Sequence, residues 1–269
     1  MRVESATDQL FYSTVPVICR DAKGDVVSTG TGLLFNYTRD NEDFRFLVSN
    51  KHVFNGGPKI SILINKGSNK PLGKSFELEL SNAFHGHPSP FVDVAIIDID
   101  KDLCNSEEPC FCHFVSEEVI PTEEQLNRLD SIESVVFIGC PDGLYDSFNS
   151  LPIARTGTTA TPLMVDYQGN PTFLVDASVF PGSSGSPVFI LNLGFYREGN
   201  TCYMGRNRIY FLGIIGAVQI KQTNYATIPV PTSFDLVTSV REYLDLGIVY
   251  KSRTIIETIQ DYLKQRTRP

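Results

Sequence analysis

What this 269-residue chain lacks narrows its class before any motif is read. It has no long hydrophobic run. Stretches such as Val94–Ile97 and Ile209–Val218 are short or broken by glycine, well below the ~20 apolar residues of a membrane-spanning helix. The opening residues, MRVESATDQLFYSTVPV, lack the continuous apolar segment of a secretory signal and read as a short helix leading into a strand. There is no excess of positive charge. The formal net charge is −8, and such a field argues against nucleic acid or an anionic membrane as the main partner. No tract is biased, no internal repeat stands out, and 42% hydrophobic with 20% charged residues is ordinary for a globular chain. Histidine is scarce: His52, His85, His87 and His113 are the only four, so a neutral-pH base has few candidates.

These absences set the remaining expectations. Without a signal segment the expected compartment is the cytoplasm, and the six cysteines (Cys19, Cys104, Cys110, Cys112, Cys140 and Cys202) are expected as free thiols. The length suits a single all-β unit that buries a core without disulfides.

Short runs rich in branched and aromatic residues fill the first block, about 14–100: VPVICR, DVVSTGTGLLFNY, FRFLVSN, KISILIN, FELEL and DVAIIDID. Turn-forming segments such as DAKGD, RDNED and NKGSNKPLGK separate them. Residues 101–133 are acidic and irregular and read as a connector, with a helix start at Pro121-Thr122-Glu123-Glu124. Strands return over 134–231 in SVVFIGC, LPIARTGTTATPLMVDY, PTFLVDASVF, SPVFILNL, RIYFLGIIGAVQI and ATIPVPT. Over 232–269 the period changes: SFDLVTSVREYLDL and RTIIETIQDYLKQR place apolar residues at helical spacing, predicting two helices. Two β blocks, a connector and a helical tail predict two packed barrels.

Three segments carry chemistry. In Phe180-Pro181-Gly182-Ser183-Ser184-Gly185-Ser186-Pro187 a serine flanked by glycines can sit on a tight turn, its hydroxyl exposed beside free main-chain N–H groups. By itself that pattern is also what a flexible Gly/Ser loop looks like. His52, in Val48-Ser49-Asn50-Lys51-His52-Val53-Phe54, stands at the end of a strand, whereas His85 and His87 lie in the loop AFHGHPSP and read as solvated. Asp93, in Phe91-Val92-Asp93-Val94-Ala95-Ile96-Ile97, reads as an acid within an apolar strand, a costly placement unless a partner takes its charge. Asp98 and Asp100 read as surface residues at the far end of that strand. The order His, Asp, Ser, with the first two in one block and the third in the other, is the chain order of a chymotrypsin-type triad.

With those residues in place, the chain resembles the chymotrypsin-like serine peptidases, and within them the bacterial trypsin-like HtrA-type proteases. The likeness rests on Gly30-Thr31-Gly32-Leu33-Leu34-Phe35, LVSNKHV, DVAII, FIGCPDGL, TGTTA, DASVFPGSSGSP and FLGIIGAV, over roughly three-quarters of the chain. It implies an all-β fold of two six-stranded antiparallel barrels with C-terminal helices. It implies a serine endopeptidase without cofactor or catalytic metal, acting on polypeptides through Ser184 as nucleophile, His52 as base and Asp93 as its orienting partner. It places the oxyanion hole at the amides of Gly182 and Ser184. One wall of the P1 pocket falls at Asp176-Ala177-Ser178-Val179, and the strand that pairs with substrate at Gly216-Ala217-Val218. With Ser178 and Val179 in that wall, no acid to hold a Lys or Arg, and branched Val218 narrowing the mouth, small aliphatic P1 residues are expected.

The chain departs from the family in three places. Ser183 stands where trypsin-type zymogens carry the aspartate that binds a liberated N-terminus, so that activation route is not expected. Ser186 replaces a usual glycine. Only about thirty-five residues follow the last expected strand, too few for a PDZ domain. A regulatory protein partner is compatible with this pattern; the oligomeric state is left open. Two alternatives stand beside the peptidase reading. One is a catalytically silent binding protein on the same fold. The other concerns metal: Cys110-Phe111-Cys112-His113, with Cys104 nearby, would need Cys140 or Cys202 to complete a four-ligand zinc site, against the free thiols expected above.

Overall fold

Segments dense in Val, Ile, Leu and Phe, cut by Gly, Asn and Asp, leave strands as the economical way to satisfy main-chain hydrogen bonds while burying side chains. The computed structural model describes residues 3–180, 182–199, 201–226 and 237–266. A capping box at Ser5 and Asp8 starts α1 (Ala6–Tyr12), which runs into β1 (Thr14–Arg20) as expected. There follow β2 (Val26–Arg39), β3 (Glu42–Ser49), α2 (Lys51–Phe54), β4 (Lys59–Lys66), β5 (Ser75–Glu79), β6 (His85–Gly86) and β7 (Ala95–Asp98). The region 101–133 holds α3 (Asp100–Cys104), β8 (Cys110–Phe111), β9 (Val115–Ser116) and α4 (Glu123–Asn127). Thr122 caps α4 at the predicted start. The second block supplies β10 (Ser134–Gly139), β11 (Ile153–Thr159), β12 (Thr172–Asp176), β13 (Pro187–Asn192), β14 (Phe195–Glu198), β15 (Thr201–Met204), β16 (Arg208–Ala226) and β17 (Val237–Lys251), and the chain closes with α5 (Ser252–Arg266).

The first half is a nine-stranded sheet in the order β5-β4-β1-β2-β3-β7-β6, with β8 on β4 and β9 parallel to β2. The β2–β3 hairpin turns on Asp40 and Asn41 alone, both left-handed (φ 53° and 62°), which matches the twist of the strands they join. This sheet differs from the expected six-stranded barrel. Among the described residues β5 and β6 share no ladder, and β6, two residues long, is too short to close one. Part of the expected connector belongs to this sheet through β8 and β9. The second half is a closed antiparallel barrel, β10-β11-β12-β17-β16-β13. Beside it β14 and β15 form a separate hairpin.

The helix expected over 233–246 is not formed from Val237 onward, where β17 runs to Lys251. Its apolar spacing admits a helix, but β17 bridges β12 and β16 and so completes the barrel, and those ladders override a local periodicity. The strand expected at ATIPVPT lies, beyond Ala226, outside the described residues. The second expected helix is α5, and it is no mere tail. Ile255, Ile259 and Leu263, one face at four-residue spacing, are buried in a cluster with Leu33, Phe35 and Phe46 of the sheet, Val94 just before β7, and Phe211 and Ile214 of the barrel. No helix among the described residues is long and apolar enough to cross a membrane.

Candidate active site

His52 is held by its neighbours. After β3 the chain turns at Asn50 into the single turn of α2, where Val53 and Phe54 are buried at 1% exposure and leave His52 facing outward. Asp93 sits in the segment leading into β7, between buried Val92 and Val94, and not in the strand itself as expected. Its carboxylate keeps 28% of its side-chain exposure, so the cost of burying an acid is partial. The main-chain amide of His52 donates to Asp93 Oδ1 at 3.1 Å, and His52 Nδ1 lies 2.5 Å from Oδ2. A carboxylate at Nδ1 places the proton there and leaves Nε2 as an acceptor. Ser184 Oγ lies 3.0 Å from Nε2.

Ser184 is presented on a turn clamped from both halves. Gly182 and Gly185 are left-handed (φ 81° and 88°), and a Cβ on Gly185 would lie 1.9 Å from the Thr31 carbonyl oxygen and 2.4 Å from Ser49 Oγ. Thr31 of β2 donates its amide to the Ser184 carbonyl (2.9 Å) and its hydroxyl to the Gly182 carbonyl (3.2 Å). On the barrel side Gly185 N donates to Ile215 O (2.8 Å) and Ile215 N to Ser186 O (2.9 Å). Among the described residues the amides of Gly182 and Ser184 donate to no acceptor. Ser183 is 2% exposed and its hydroxyl is buried without a partner.

The residues expected to line the substrate channel divide. Ser178 is exposed, but Val179 is 2% exposed and belongs to the barrel core, with Cγ2 only 2.8 Å from where a Gly247 Cβ would stand. It is therefore no pocket wall: strand-like alternation after Asp176 turns Ala177 and Val179 inward and Ser178 outward. Gly216 is buried and Ala217 exposed on β16, beside a bulge opposite β17; the Val218 side chain lies outside the described residues.

Other features were illegible in the sequence. Asn50 Nδ2 donates to the Asp93 carbonyl at 2.6 Å. The Arg155 guanidinium lies over the rings of Phe137 (5.4 Å) and Phe180 (4.9 Å), and its Nη1 is buried without a partner. His85 and His87, expected in solvent, instead tie the sheet to α5: His85 Nε2 is 2.8 Å from Asp261, His87 Nε2 is 3.0 Å from Glu257, and His87 is 9% exposed. Asp98, expected at the surface, is buried, accepting from Tyr262 and Arg266 of α5 at 3.1 Å each. A Gly/Pro-rich loop and an acid at a strand end look solvated until α5, whose partner residues lie 164 to 176 positions on, packs over them.

Among the described residues no cluster of three or more His, Cys, Asp or Glu side chains is arranged to hold a metal. Cys140 is buried in the second half and Cys202 exposed on β15, while Cys110 and Cys112 lie on and beside β8 in the first half. Burial pushes the thiols of Cys19 up to about 11 and of Cys112 and Cys140 up to about 12.

Neither a known protein family nor a curated protein matches the sequence. Among solved structures the chain is similar to Rv3671c from M. tuberculosis H37Rv, in an inactive serine-to-alanine mutant form (17% identity, TM-score 0.47, covering 97% of this chain and 90% of that one). It is also similar to the MamO protease domain from Magnetospirillum magneticum in its apo form (12% identity, TM-score 0.48, covering 92% and 96%). At such scores neither likeness adds to the reading of the site.

Proposed function

We propose that this chain is a serine endopeptidase of chymotrypsin-like type. The observation that carries the reading is the unbroken relay from Asp93 to His52 to Ser184, with successive contacts of 2.5 and 3.0 Å. Three residues 41 and 132 positions apart are drawn from two halves of the molecule into one line. In the proposed reaction His52 Nε2 takes the Ser184 proton as Oγ attacks the scissile carbonyl. Asp93 stabilises the imidazolium that forms, and the unpaired amides of Gly182 and Ser184 receive the developing oxyanion. His52 then passes the proton to the leaving amine, and water repeats the cycle on the acyl-enzyme.

Small aliphatic P1 side chains remain the proposed preference. It is supported by the small, uncharged Ser178, Gly216 and Ala217. Peptides differing only at P1 test it; cleavage dominated by Lys or Arg would refute it. The test of the reaction is turnover of a peptide library by wild type and by Ser184→Ala, with loss of several orders of magnitude expected in the variant. The wild-type rate should fall on the acid side as an imidazole takes up its proton. Equal turnover by the variant would rule the mechanism out.

A further inference from the structure

Among the described residues Asp93 has no side-chain donor other than His52. Among the described residues both carboxylate oxygens are engaged by His52 alone, Oδ1 by its amide and Oδ2 by its ring. A partly exposed carboxylate on an irregular segment has several rotations open to it, so its aim depends on how the main chain of Asp93 is fixed. Two residues outside the triad converge on that main chain.

The first is Asn50. It occupies the N-cap position of the helical turn that carries His52, where an asparagine oxygen ordinarily accepts a helix amide. Here no side-chain capping bond is made. The side chain is turned away, fully buried, with Nδ2 on the Asp93 carbonyl at 2.6 Å and Oδ1 without any partner. Leaving an amide oxygen unsatisfied in the interior is costly, and an apolar residue would fill the space without that cost. What the amide supplies is a tether from the start of the His52 turn to the Asp93 main chain.

The second is Tyr250 of β17, which reaches the same point from the barrel. Gly216 makes room for it: a Cβ there would lie 2.4 and 2.6 Å from the Tyr250 ring and 3.3 Å from Asn50 Nδ2. Gly216, Tyr250 and Asn50 therefore meet in one place. Burial, and then the charge of Asp93, push the Tyr250 hydroxyl up, while the main chain of Asp93 pulls the other way.

We propose that Asn50 and Tyr250 are positioning residues that fix the main chain of Asp93 and so aim its carboxylate at His52, with Gly216 keeping the slot for the tyrosine open. The inference rests on the peptidase reading for its consequence in catalysis, but not for its geometry. It assigns Gly216 a second task beside substrate pairing. It also gives the barrel a direct hold on the half of the site that the sheet contributes.

The test compares wild type with Tyr250→Phe, which keeps the ring in its slot, and with Asn50→Ala. Steady-state kinetics on a cleaved peptide should show kcat reduced by about tenfold or more with KM within about twofold, because aim and not substrate binding is lost. The acid limb of the pH–rate profile should move to lower pH, since a misaimed carboxylate favours the imidazolium less. A proton NMR spectrum of the resting protein should show the His52 Nδ1 proton far downfield in wild type and broadened or moved upfield in both variants. Unchanged kcat, pH limb and resonance in folded variants would overturn the proposal. If Asn50→Ala fails to fold, Tyr250→Phe decides alone. If wild type cleaves nothing, the peptidase reading fails separately, and the resonance still decides: its loss in the variants upholds the positioning role, and its persistence ends it.

Discussion

The two halves of the molecule hold their parts of the site by different means. The first half is an open sheet that offers His52 and Asp93 on short, irregular segments at strand ends, each kept in place by buried neighbours such as Val53, Phe54, Val92 and Val94. The second half is a closed barrel that offers Ser184 on a turn fixed by main-chain bonds to Ile215, with Thr31 of the sheet closing over it. Side-chain packing positions His52 and Asp93; a hydrogen-bonded turn with two left-handed glycines positions Ser184. Packing yields by degrees when it is damaged, whereas a turn whose glycine touches a carbonyl has little room to yield. The two parts of the site should therefore break differently.

The largest effect is expected at the His52–Asp93 pair itself. Asp93→Asn should lower kcat by about 10⁴ while leaving the melting temperature close to wild type, because the amide offers the imidazole the wrong partner. A loss below tenfold would mean that Asp93 does not orient His52. Gly185→Ala comes next. Its Cβ would meet the Thr31 carbonyl, so the turn must shift and activity should drop by about 10²-fold or more. Normal turnover would show the clamp to be dispensable.

Ile259→Ala in α5 probes packing between the halves. A fully buried isoleucine in the shared cluster should cost about 2–5 kcal/mol of stability, read as a denaturant midpoint, with kcat of the folded protein near wild type. A stability change under about 0.5 kcal/mol would remove α5 from the core. The smallest effect is chemical. With iodoacetamide at pH 8, exposed Cys104 and Cys202 should be alkylated first, while Cys19 and Cys140, pushed up to about 11 and about 12 by burial, stay protonated and unlabelled. Early labelling of Cys140 would place it nearer solvent than the barrel allows.

Much of the strand content was legible because alternation and turn residues are local signals. VPVICR, FRFLVSN and KISILIN form β1, β3 and β4, and the capping boxes at Ser5 and Thr122 start their helices. The convergence of His52, Asp93 and Ser184 was legible from residue types and chain order. Less local facts were not. β17 depends on a ladder with β16 that no window of Val237–Leu246 contains, and helical spacing there misleads. Alternation could have shown that Val179 faces inward with Val175 and Ala177, but likeness to a pocket wall drew it outward. His87 and Asp98 needed α5 before they could be read as buried. Nothing in the sequence around Asn50 or Tyr250 pairs them with Asp93, since the three meet only when barrel and sheet come together.

The central claim is that His52 activates Ser184 for attack, and covalent labelling tests it most directly. Wild type, His52→Ala and Ser184→Ala are each incubated with a fluorophosphonate, and the adduct is mapped by mass spectrometry of the digested protein. A single adduct on Ser184 is predicted in wild type, slowed by about 10³-fold or more in His52→Ala and absent in Ser184→Ala. An unmodified Ser184 in folded wild type, or labelling that proceeds equally fast without His52, would contradict the account.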